Sequence, residues 1–182
     1  MKKFLTLSLT FLIVAILAVG CTNKDTDDDN IEDDINNDVE TFEGNIYRSW
    51  NEVKADYDSI DAEVKEEIKS HNKVTKDEVQ DLINTIETKY DKIKDGITED
   101  NENDAKELYK AAQKIQEIAK VDGEKVDHEI VTLSENAKTL VKHYYGEADD
   151  DFSTVKENFT SGIDKIKNYT EDEWQKFLDL FK

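Results

Sequence analysis

Proline is absent from the 182-residue sequence, glycine occurs six times and cysteine once. A single cysteine cannot form an internal disulfide, so folding must depend on the burial of apolar side chains. With so little glycine and no proline, the chain lacks the residues that the many turns of a β-sandwich or barrel use. Together with apolar residues at helical intervals, this composition predicts an all-α fold.

Basic residues are also scarce. The chain carries 24 lysines and arginines against 44 acids, which gives a formal net charge of −20 at pH 7. A surface that binds nucleic acid needs a basic footprint, so we expect no nucleic-acid partner. The same charge opposes broad adsorption to anionic lipid. If the chain resides at a membrane, another feature must hold it there.

The N-terminus supplies such a feature. It reads MKKFLTLSLTFLIVAILAVGC, in which two lysines precede an apolar run from Phe4 to Val19. A positive start, an apolar stretch and a cut site of small residues are the three parts of a secretory signal peptide. The alternative is an uncleaved transmembrane anchor, but the run is shorter than the roughly 20 residues that span a bilayer comfortably.

The end of this segment, Ala18-Val19-Gly20-Cys21, resembles the lipobox of bacterial lipoproteins. The resemblance implies that a diacylglyceryl group, with acyl chains such as palmitate, is attached to the Cys21 sulfur. It also implies cleavage between Gly20 and Cys21, so that residues 1–20 are removed as a signal peptide. Two acyl chains hold a protein on a membrane far better than one, because each buried methylene adds about 0.8 kcal/mol.

Residues 21–44 form an acidic segment. After the cysteine they hold ten acids and one lysine, with scattered apolar residues. Low hydrophobicity and charge repulsion predict a disordered linker with an end-to-end span of about 25–30 Å. Such a linker would space the predicted folded domain, residues 45–182, from the membrane.

Part of the acidic segment imitates a calcium-binding loop. Asp25, Asp27 and Asp29 have the spacing of the first three ligands of an EF-hand. However, Asn30 stands where that loop needs glycine, and Asn36 stands where it needs a bidentate glutamate. We therefore expect no specific metal site here, only loose condensation of cations.

Residues 45–182 show helical periodicity. The first apolar stripe predicts a helix from about 45 to 70 and consists of Ile46, Trp50, Val53, Tyr57, Ile60, Val64 and Ile68. Later stripes predict helices over about 75–96, 103–121, 126–146 and 152–166, and a short last helix after Thr170. Capping boxes at Thr75–Glu78 and Thr170–Glu173 mark two of the starts. Short polar connections predict an antiparallel up-and-down bundle of about five helices plus a short C-terminal helix.

Two glycines interrupt this pattern. Asp122-Gly123 lies between the third and fourth stripes, and a helix running through it would place Asp122 among apolar side chains. We favour a turn or kink there, so that residues 103–145 form either two helices or one kinked helix. Gly162 lies inside the fifth stripe, where glycine costs about 1 kcal/mol relative to alanine. It either permits close helix packing or is simply tolerated.

The domain contains no recognisable catalytic or metal-binding pattern. His71, His128 and His143 form neither an i, i+4 pair nor HExxH, and we expect all three at the surface. Glu-x-x-His, which di-metal sites in helical bundles use, does not occur. Lipidation would also consume the only thiol. We therefore expect no enzymatic activity and no cofactor.

Aromatic side chains are the remaining candidates for a site. Tyr144 and Tyr145 are adjacent, so one of them is expected to point away from the core. Trp174, Phe177 and Phe181 lie on one side of the last helix. Either that helix caps the end of the bundle, or its aromatic residues form an exposed patch that docks a protein. The candidate partner-contact residues are Tyr145, Trp174, Phe177 and Phe181.

These observations predict a non-catalytic lipoprotein. We expect the Cys21 lipid to anchor it on the extracytoplasmic face of the cell membrane, or on the outer membrane in a Gram-negative cell. Its helical domain is expected to bind an envelope or extracellular protein. The alternative is a small-ligand or cation-binding lipoprotein with a pocket between helices.

Overall fold

The computed structural model describes residues 42–70, 74–121, 124–125, 128–147 and 150–180. Within these ranges the chain forms six α-helices and one pair of two-residue strands, which confirms the predicted all-α bundle of five helices plus a short sixth. The elements are α1 Trp50–Lys69, α2 Lys76–Ile93, α3 Glu102–Ile118, β1 Lys120–Val121, β2 Glu124–Lys125, α4 His128–Tyr144, α5 Phe152–Lys167 and α6 Glu171–Asp179. The predicted leader, Cys21 and the acidic linker up to residue 41 lie outside the described residues.

Side-chain caps fix where several helices begin. Ser49 precedes α1, and its backbone N–H and hydroxyl both donate to the Glu52 carboxylate, at 2.8 and 2.7 Å. The predicted capping box before α6 is confirmed: the Thr170 N–H donates to Glu173 Oε2 at 2.7 Å, and the Glu173 N–H donates to Thr170 Oγ1 at 3.3 Å. At the start of α2, Thr75 Oγ1 accepts the Glu78 N–H at 3.3 Å, which is one half of the capping box predicted there. Each cap satisfies backbone donors that the first helical turn leaves unpaired.

The predicted start of α1 near residue 45 is wrong, because the Ser49 cap makes Trp50 the first helical residue. The Trp50 N–H also donates to the Tyr145 carbonyl at 2.9 Å, which fixes this point of the chain against the end of α4. Ile46 therefore lies before the helix, is 47% exposed and does not belong to the buried stripe. The later positions of that stripe are buried or half-buried, as predicted.

The long helices alternate in direction along the chain. Helices α2 to α5 pack in chain order, and Lys165 near the end of α5 pairs with Glu129 at the start of α4, as antiparallel neighbours require. α1 packs mainly against α3 and runs parallel to it. Residue numbers rise together along the ion pairs of that seam, which are Arg48–Glu102, Asp56–Lys106, Glu63–Lys110 and Glu67–Lys114. The result is the predicted up-and-down arrangement, with α1 laid on α3.

One hydrophobic core joins all six helices. Its largest fully buried side chains include at least one from each helix: Tyr57, Ile86, Leu108, Leu133, Phe159 and Phe177. Removal of this apolar surface from water is the main favourable term in folding. In a chain that cannot form an internal disulfide, the core must supply most of the stability.

The described part of the chain begins at Phe42, whose ring packs edge-on against the rings of Tyr144 and Phe152, with centroids 4.8 and 5.5 Å away. Two glycines make room for this ring. A Cβ atom at Gly44 would lie 2.0 Å from Phe42 Cζ, and one at Gly96 would lie 3.1 Å from the same atom. Phe42 therefore covers the end of the bundle where α4 ends and α5 begins.

β1 and β2 pair antiparallel between α3 and α4. This pair takes the place of a continuous helix, so the predicted break is confirmed, and residues 103–145 contain two helices rather than one. Asp122 and Gly123 themselves lie outside the described residues.

Gly162 of α5 faces Leu133 of α4. A Cβ atom at position 162 would lie 3.4 Å from Leu133 Cδ1 and 3.6 Å from Leu133 Cβ, which are ordinary van der Waals distances. The space at position 162 therefore admits one methyl group. Of the two interpretations of Gly162, the one favoured is that glycine is simply tolerated, because alanine would allow the same helix packing.

Gly162→Ala is accordingly expected to raise the free energy of unfolding by about 0.5–1 kcal/mol, because alanine is favoured over glycine in a helix interior by about that amount. Urea denaturation followed by circular dichroism measures the change. Gly162→Leu is the comparison variant and should lower the same free energy by about 1–3 kcal/mol through overpacking against Leu133. A destabilised alanine variant would mean that position 162 has no room for a methyl group beside Leu133.

Candidate functional site

A polar cluster centred on Lys138 lies between α1, α3 and α4. The Lys138 ammonium donates to the side-chain oxygens of Gln113 and Gln116, the second at 3.3 Å, and pairs with Asp61 Oδ1 at 3.4 Å. It also lies 4.7 Å from the centroid of the Tyr109 ring, and the Tyr109 hydroxyl donates to Asp61 at 3.4 Å. Burial lowers the pKa of Lys138, and the Asp61 carboxylate opposes that shift.

This Lys138 cluster is internally satisfied. An ammonium group has three donors, and here three side-chain oxygens accept them. A nucleophilic amine needs an accessible lone pair, whereas the Lys138 nitrogen is within hydrogen-bond distance of three side-chain oxygens. The arrangement therefore acts as a polar crosslink among three helices.

Beside this cluster, the Tyr57 ring contacts those of Trp50, Tyr109 and Tyr145, with centroids 5.1, 4.7 and 5.8 Å away. The Tyr57 hydroxyl donates to the Tyr145 hydroxyl at 3.2 Å. Tyr145 is only 1% exposed, which corrects the expectation that it forms part of a partner-contact surface. Its ring is instead core that joins the end of α4 to α1.

The neighbouring Tyr144 is buried as well. Its hydroxyl donates to the Lys94 carbonyl at 3.0 Å, and its ring contacts Phe42 and Phe152. The prediction that one of the two adjacent tyrosines points outward is therefore wrong. The end of α4 is covered on one side by α1 and on the other by Phe42 and α5, so both directions are buried.

Burial raises the pKa of Tyr145 to about 12, and it also raises the pKa of Tyr57, Tyr109 and Tyr144. The raised pKa is a property of the folded chain, so the associated stability is fully present below the unfolded pKa of about 10 and is lost as the pH rises above it. We expect the free energy of unfolding to fall steeply between about pH 10 and 12.

A series of urea denaturation experiments across that pH range, with tyrosinate absorbance recorded in parallel, measures this loss. Tyrosinate of the four buried residues, Tyr57, Tyr109, Tyr144 and Tyr145, should form together with unfolding. Tyr47→Phe is the control, because Tyr47 is exposed and its removal should leave the alkaline transition in place. Ionisation of every tyrosine in a chain that stays folded would contradict the burial of the cluster.

The aromatic residues of α6 cap the bundle. Trp174 and Phe177 are 2% and 1% exposed. The Trp174 ring packs edge-on against those of Tyr169 and Phe177, with centroids 5.5 and 6.1 Å away. This burial corrects the expectation of a contact patch at Trp174 and Phe177 and favours the capping interpretation. Phe181 lies outside the described residues.

The histidines divide between surface and core. His128 begins α4 and is exposed, as predicted. His143 is 1% exposed, and its ring lies 5.4 Å from that of Phe152, so its predicted surface position is wrong. As at Tyr144, neighbouring elements cover α4 on more than one side, so a residue beside its apolar stripe is buried too. His71 lies outside the described residues.

A groove lies between α2, the end of α5 and α6, and it encloses about 360 Å³. The residues that line this α2–α5–α6 groove are Asp77, Gln80, Asp81, Ile83, Asn84, Ile166, Lys167 and Trp174. Its base is apolar, because Ile83, Ile166 and Trp174 belong to the core. Its polar wall comes almost wholly from α2. The volume is at the low end of the roughly 300–1,000 Å³ typical of ligand pockets.

The lysines at the rim of this groove already have acidic partners. Lys167 donates to both carboxylate oxygens of Glu87 at 2.9 Å, and these hydrogen bonds raise the pKa of Lys167. Lys76 pairs with Glu171, and its ammonium lies 5.8 Å from the centroid of the Trp174 ring. Neither lysine is directed to the acids of the groove wall.

Those acids are Asp77 and Asp81. Both are exposed, and neither has an ion-pair partner in the part of the chain that the structure describes. The acids of α1 on the α3 seam differ, since Asp56, Glu63 and Glu67 each pair with a lysine of α3. The described residues thus leave the negative charge of the α2–α5–α6 groove without an ion-pair partner.

A second cleft of about 420 Å³ shares Asp81 with the first and lies between α1, α2 and α3. The residues that line it are Glu67, Ile68, Glu78, Asp81, Leu82, Thr85 and Lys114. Lys114 pairs with Glu67 within it, so part of its charge is already compensated.

Across the described ranges, no three histidine, cysteine or acidic side chains are grouped in a way that could hold a metal ion. No helix in that part of the chain is both long and apolar enough to cross a membrane. Comparison of the chain with protein-family models, curated proteins and solved structures finds no match. Function must therefore be inferred from the residues of the chain itself.

Sequence periodicity alone does not identify the α2–α5–α6 groove. Asp77, Gln80, Asp81 and Asn84 recur at helical spacing beside the apolar stripe of α2, which is the signal the sequence contains. The sequence pattern does not show that α6 folds back beside this polar row, and that contact is what forms the groove. Gly20 and Cys21, the predicted cleavage and lipidation site, lie outside the described residues.

Proposed function

We propose that this chain is a lipoprotein held on the extracytoplasmic face of the cell membrane, or on the outer membrane in a Gram-negative cell. Residues 1–20 are its signal peptide, and a diacylglyceryl group on Cys21 is its anchor. The helical domain acts without catalysis, as a binding module for an envelope or extracellular protein. The order Ala18-Val19-Gly20-Cys21 at the end of an apolar leader carries this proposal.

The environment of the ionisable groups in the domain supports a binding role. The Lys138 ammonium is held by three oxygens, and the phenol of Tyr57 is packed in the core. In contrast, Asp77 and Asp81 are exposed at a groove and are available to a second molecule. The accessible chemistry is thus recognition by charge and hydrogen bonding.

The order of the segments supports the same role. Because Phe42 packs on the bundle, the linker proper is residues 22–41, which carry nine acids against one lysine. A flexible chain of this length spans about 22–27 Å. Two acyl chains on one cysteine give lasting attachment, whereas one chain gives only marginal binding. A bundle held on such a linker can reach a partner in the space next to the membrane.

Photocrosslinking in intact cells tests the proposal. A photoreactive amino acid replaces Gln175, an exposed residue of α6, in the full-length lipidated chain. We expect one discrete protein adduct, which disappears when an untagged copy of the chain is expressed in excess. If the same pattern of adducts forms with an unrelated acidic bundle carrying the same leader and linker, the binding-module proposal is wrong.

The two clefts favour a second candidate function, a small-ligand or cation-binding lipoprotein. A thermal-shift screen of the whole lipoprotein with metal ions and metabolites tests this alternative. A ligand present at 100 times its dissociation constant should stabilise the fold by about 2.7 kcal/mol. No shift with any compound would count against the alternative without affecting the first proposal.

A further inference from the structure

The α2–α5–α6 groove and the first described residues of the domain lie near opposite ends of α2. Phe42 packs beside Gly96, just beyond the last residue of α2, whereas the groove is lined by residues 77–84 near its start. About 12 residues separate the middle of the groove from Ile93, the last residue of α2, or about 19 Å along a helix that rises 1.5 Å per residue. In an anchored chain, the groove is thus far from the point where the linker joins the bundle.

The polar wall of the groove is arranged to receive a cation. Asp77 and Asp81 are four residues apart, so they lie on one face of α2 with Cβ atoms about 5–6 Å apart. Gln80 and Asn84 add carboxamide donors and acceptors beside them. The lysines at the rim are paired with Glu87 and with a residue of α6, so among the described residues no cation pairs with this wall.

We propose that the α2–α5–α6 groove docks a basic segment of the partner protein, with one arginine side chain between Asp77 and Asp81. The inference rests on the proposed binding function and identifies the surface that the interaction uses. A volume of about 360 Å³ suits a short segment of chain rather than a folded domain. The negative charge of the wall selects a basic segment over an acidic or apolar one.

Arginine fits this wall better than lysine does. Its planar guanidinium has five donors and can bond two carboxylates at once, whereas the lysine ammonium acts as a compact and strongly hydrated point charge. Its aliphatic stem can also cover the apolar base formed by Ile83 and Ile166. The groove should therefore distinguish peptides by side-chain geometry as well as by charge.

Trp174 provides a local reporter for the test, because the chain has only two tryptophans and Trp50→Phe leaves Trp174 as the sole emitter. The mature lipidated chain with this substitution is placed in nanodiscs of zwitterionic lipid and titrated with the peptide Gly-Arg-Gly-Arg-Gly. We expect a saturable change in Trp174 emission, a several-fold weaker response to the lysine version, and none to a version with neutral citrulline. Peptide that binds only to the acidic linker should not change the emission of Trp174.

The decisive variant combines Asp77→Asn with Asp81→Asn, which keeps side-chain size and removes two charges. It should raise the dissociation constant about tenfold or more. Glu99→Gln with Asp100→Asn removes the same charge from the exposed α2–α3 connection at the other end of the bundle and should change it by less than about twofold. Circular dichroism verifies that both variants fold.

If both double variants bind the arginine peptide equally weakly, the peptide is attracted by net charge alone. That result would overturn the proposal. No change in Trp174 emission with the arginine peptide would also overturn it. An equally large change in Trp174 emission with free arginine amide at the same concentration would mean that the groove binds a small cation. That result would overturn the proposal of a peptide segment.

The crosslinking experiment separates this inference from the proposed function. If the wild-type adduct forms and Asp77→Asn with Asp81→Asn leaves it unchanged, the groove is not the docking surface, although the binding function stands. If no specific adduct forms with the wild-type chain, the binding function fails, and the peptide titration still decides whether the groove binds arginine.

Discussion

In a Cys21→Ser variant, incorporation of labelled palmitate is expected to fall to background, and the leader is expected to stay on the chain. A serine hydroxyl is a far weaker nucleophile than a cysteine thiolate, so the thioether to the diacylglyceryl group cannot form. The lipobox resemblance implies that cleavage follows lipidation, and an unmodified chain would therefore keep residues 1–20. Metabolic labelling and the intact mass of chain purified from membranes measure the two effects.

Thr22→Ser is the matched control, because it changes the next residue by one methyl group and leaves the thiol in place. It should be labelled and processed like the wild-type chain. An unmodified Cys21 thiol in the native wild-type product, or a leader still attached to it, would refute the proposed anchoring.

Phe177→Ala is expected to lower the free energy of unfolding by about 3–5 kcal/mol, the range for truncating a large buried aromatic side chain. Phe177 is fully buried, and its ring contacts that of Trp174, so truncation leaves a cavity beneath α6. Leu180→Ala, one turn further on, is the matched control. Leu180 is 42% exposed, and its truncation should change the same free energy by no more than about 0.5 kcal/mol.

Urea denaturation of the two variants, followed by circular dichroism, gives the comparison. A small and equal loss in both variants would mean that α6 does not pack on the bundle through Phe177. In that event the aromatic residues of α6 would again be candidates for a partner-contact surface.

Apolar periodicity predicted the helices because each has a buried stripe at helical spacing. Val53, Tyr57 and Val64 fall on the stripe of α1 and are buried in the structure. The same stripe misplaced Ile46, because the Ser49–Glu52 capping box sets the start of the helix independently of hydrophobicity. When apolar spacing continues beyond a helix, the capping residues therefore determine where the helix begins.

The errors at His143 and Tyr145 have a different cause. A single apolar stripe assumes that a helix has one buried face, whereas α4 is covered by α1, α3 and α5 together. Residues that flank the stripe are then buried too. Which helices lie against α4 depends on contacts between residues far apart in the chain, such as Tyr57 with Tyr145, and periodicity contains no information on them.

The candidate site depends on long-range contacts even more strongly. The acids Asp77 and Asp81 are visible in the sequence as a polar row on α2, but they line a groove only because α6 returns to that helix almost a hundred residues later. The pairing of Lys76 with Glu171 is part of this return. The lipobox, in contrast, is a local motif, and sequence alone suffices to propose it.

The position of Phe42 also determines how a mechanical load would enter the domain. Its ring is seated against Tyr144 and Phe152, whereas α1 begins only at Trp50. Tension along the preceding chain would act first on the corner between α4 and α5, and α1 would stay unloaded until that ring was pulled out. In a chain anchored as proposed, the contacts of the Phe42 ring would therefore bear such a load before α1 does.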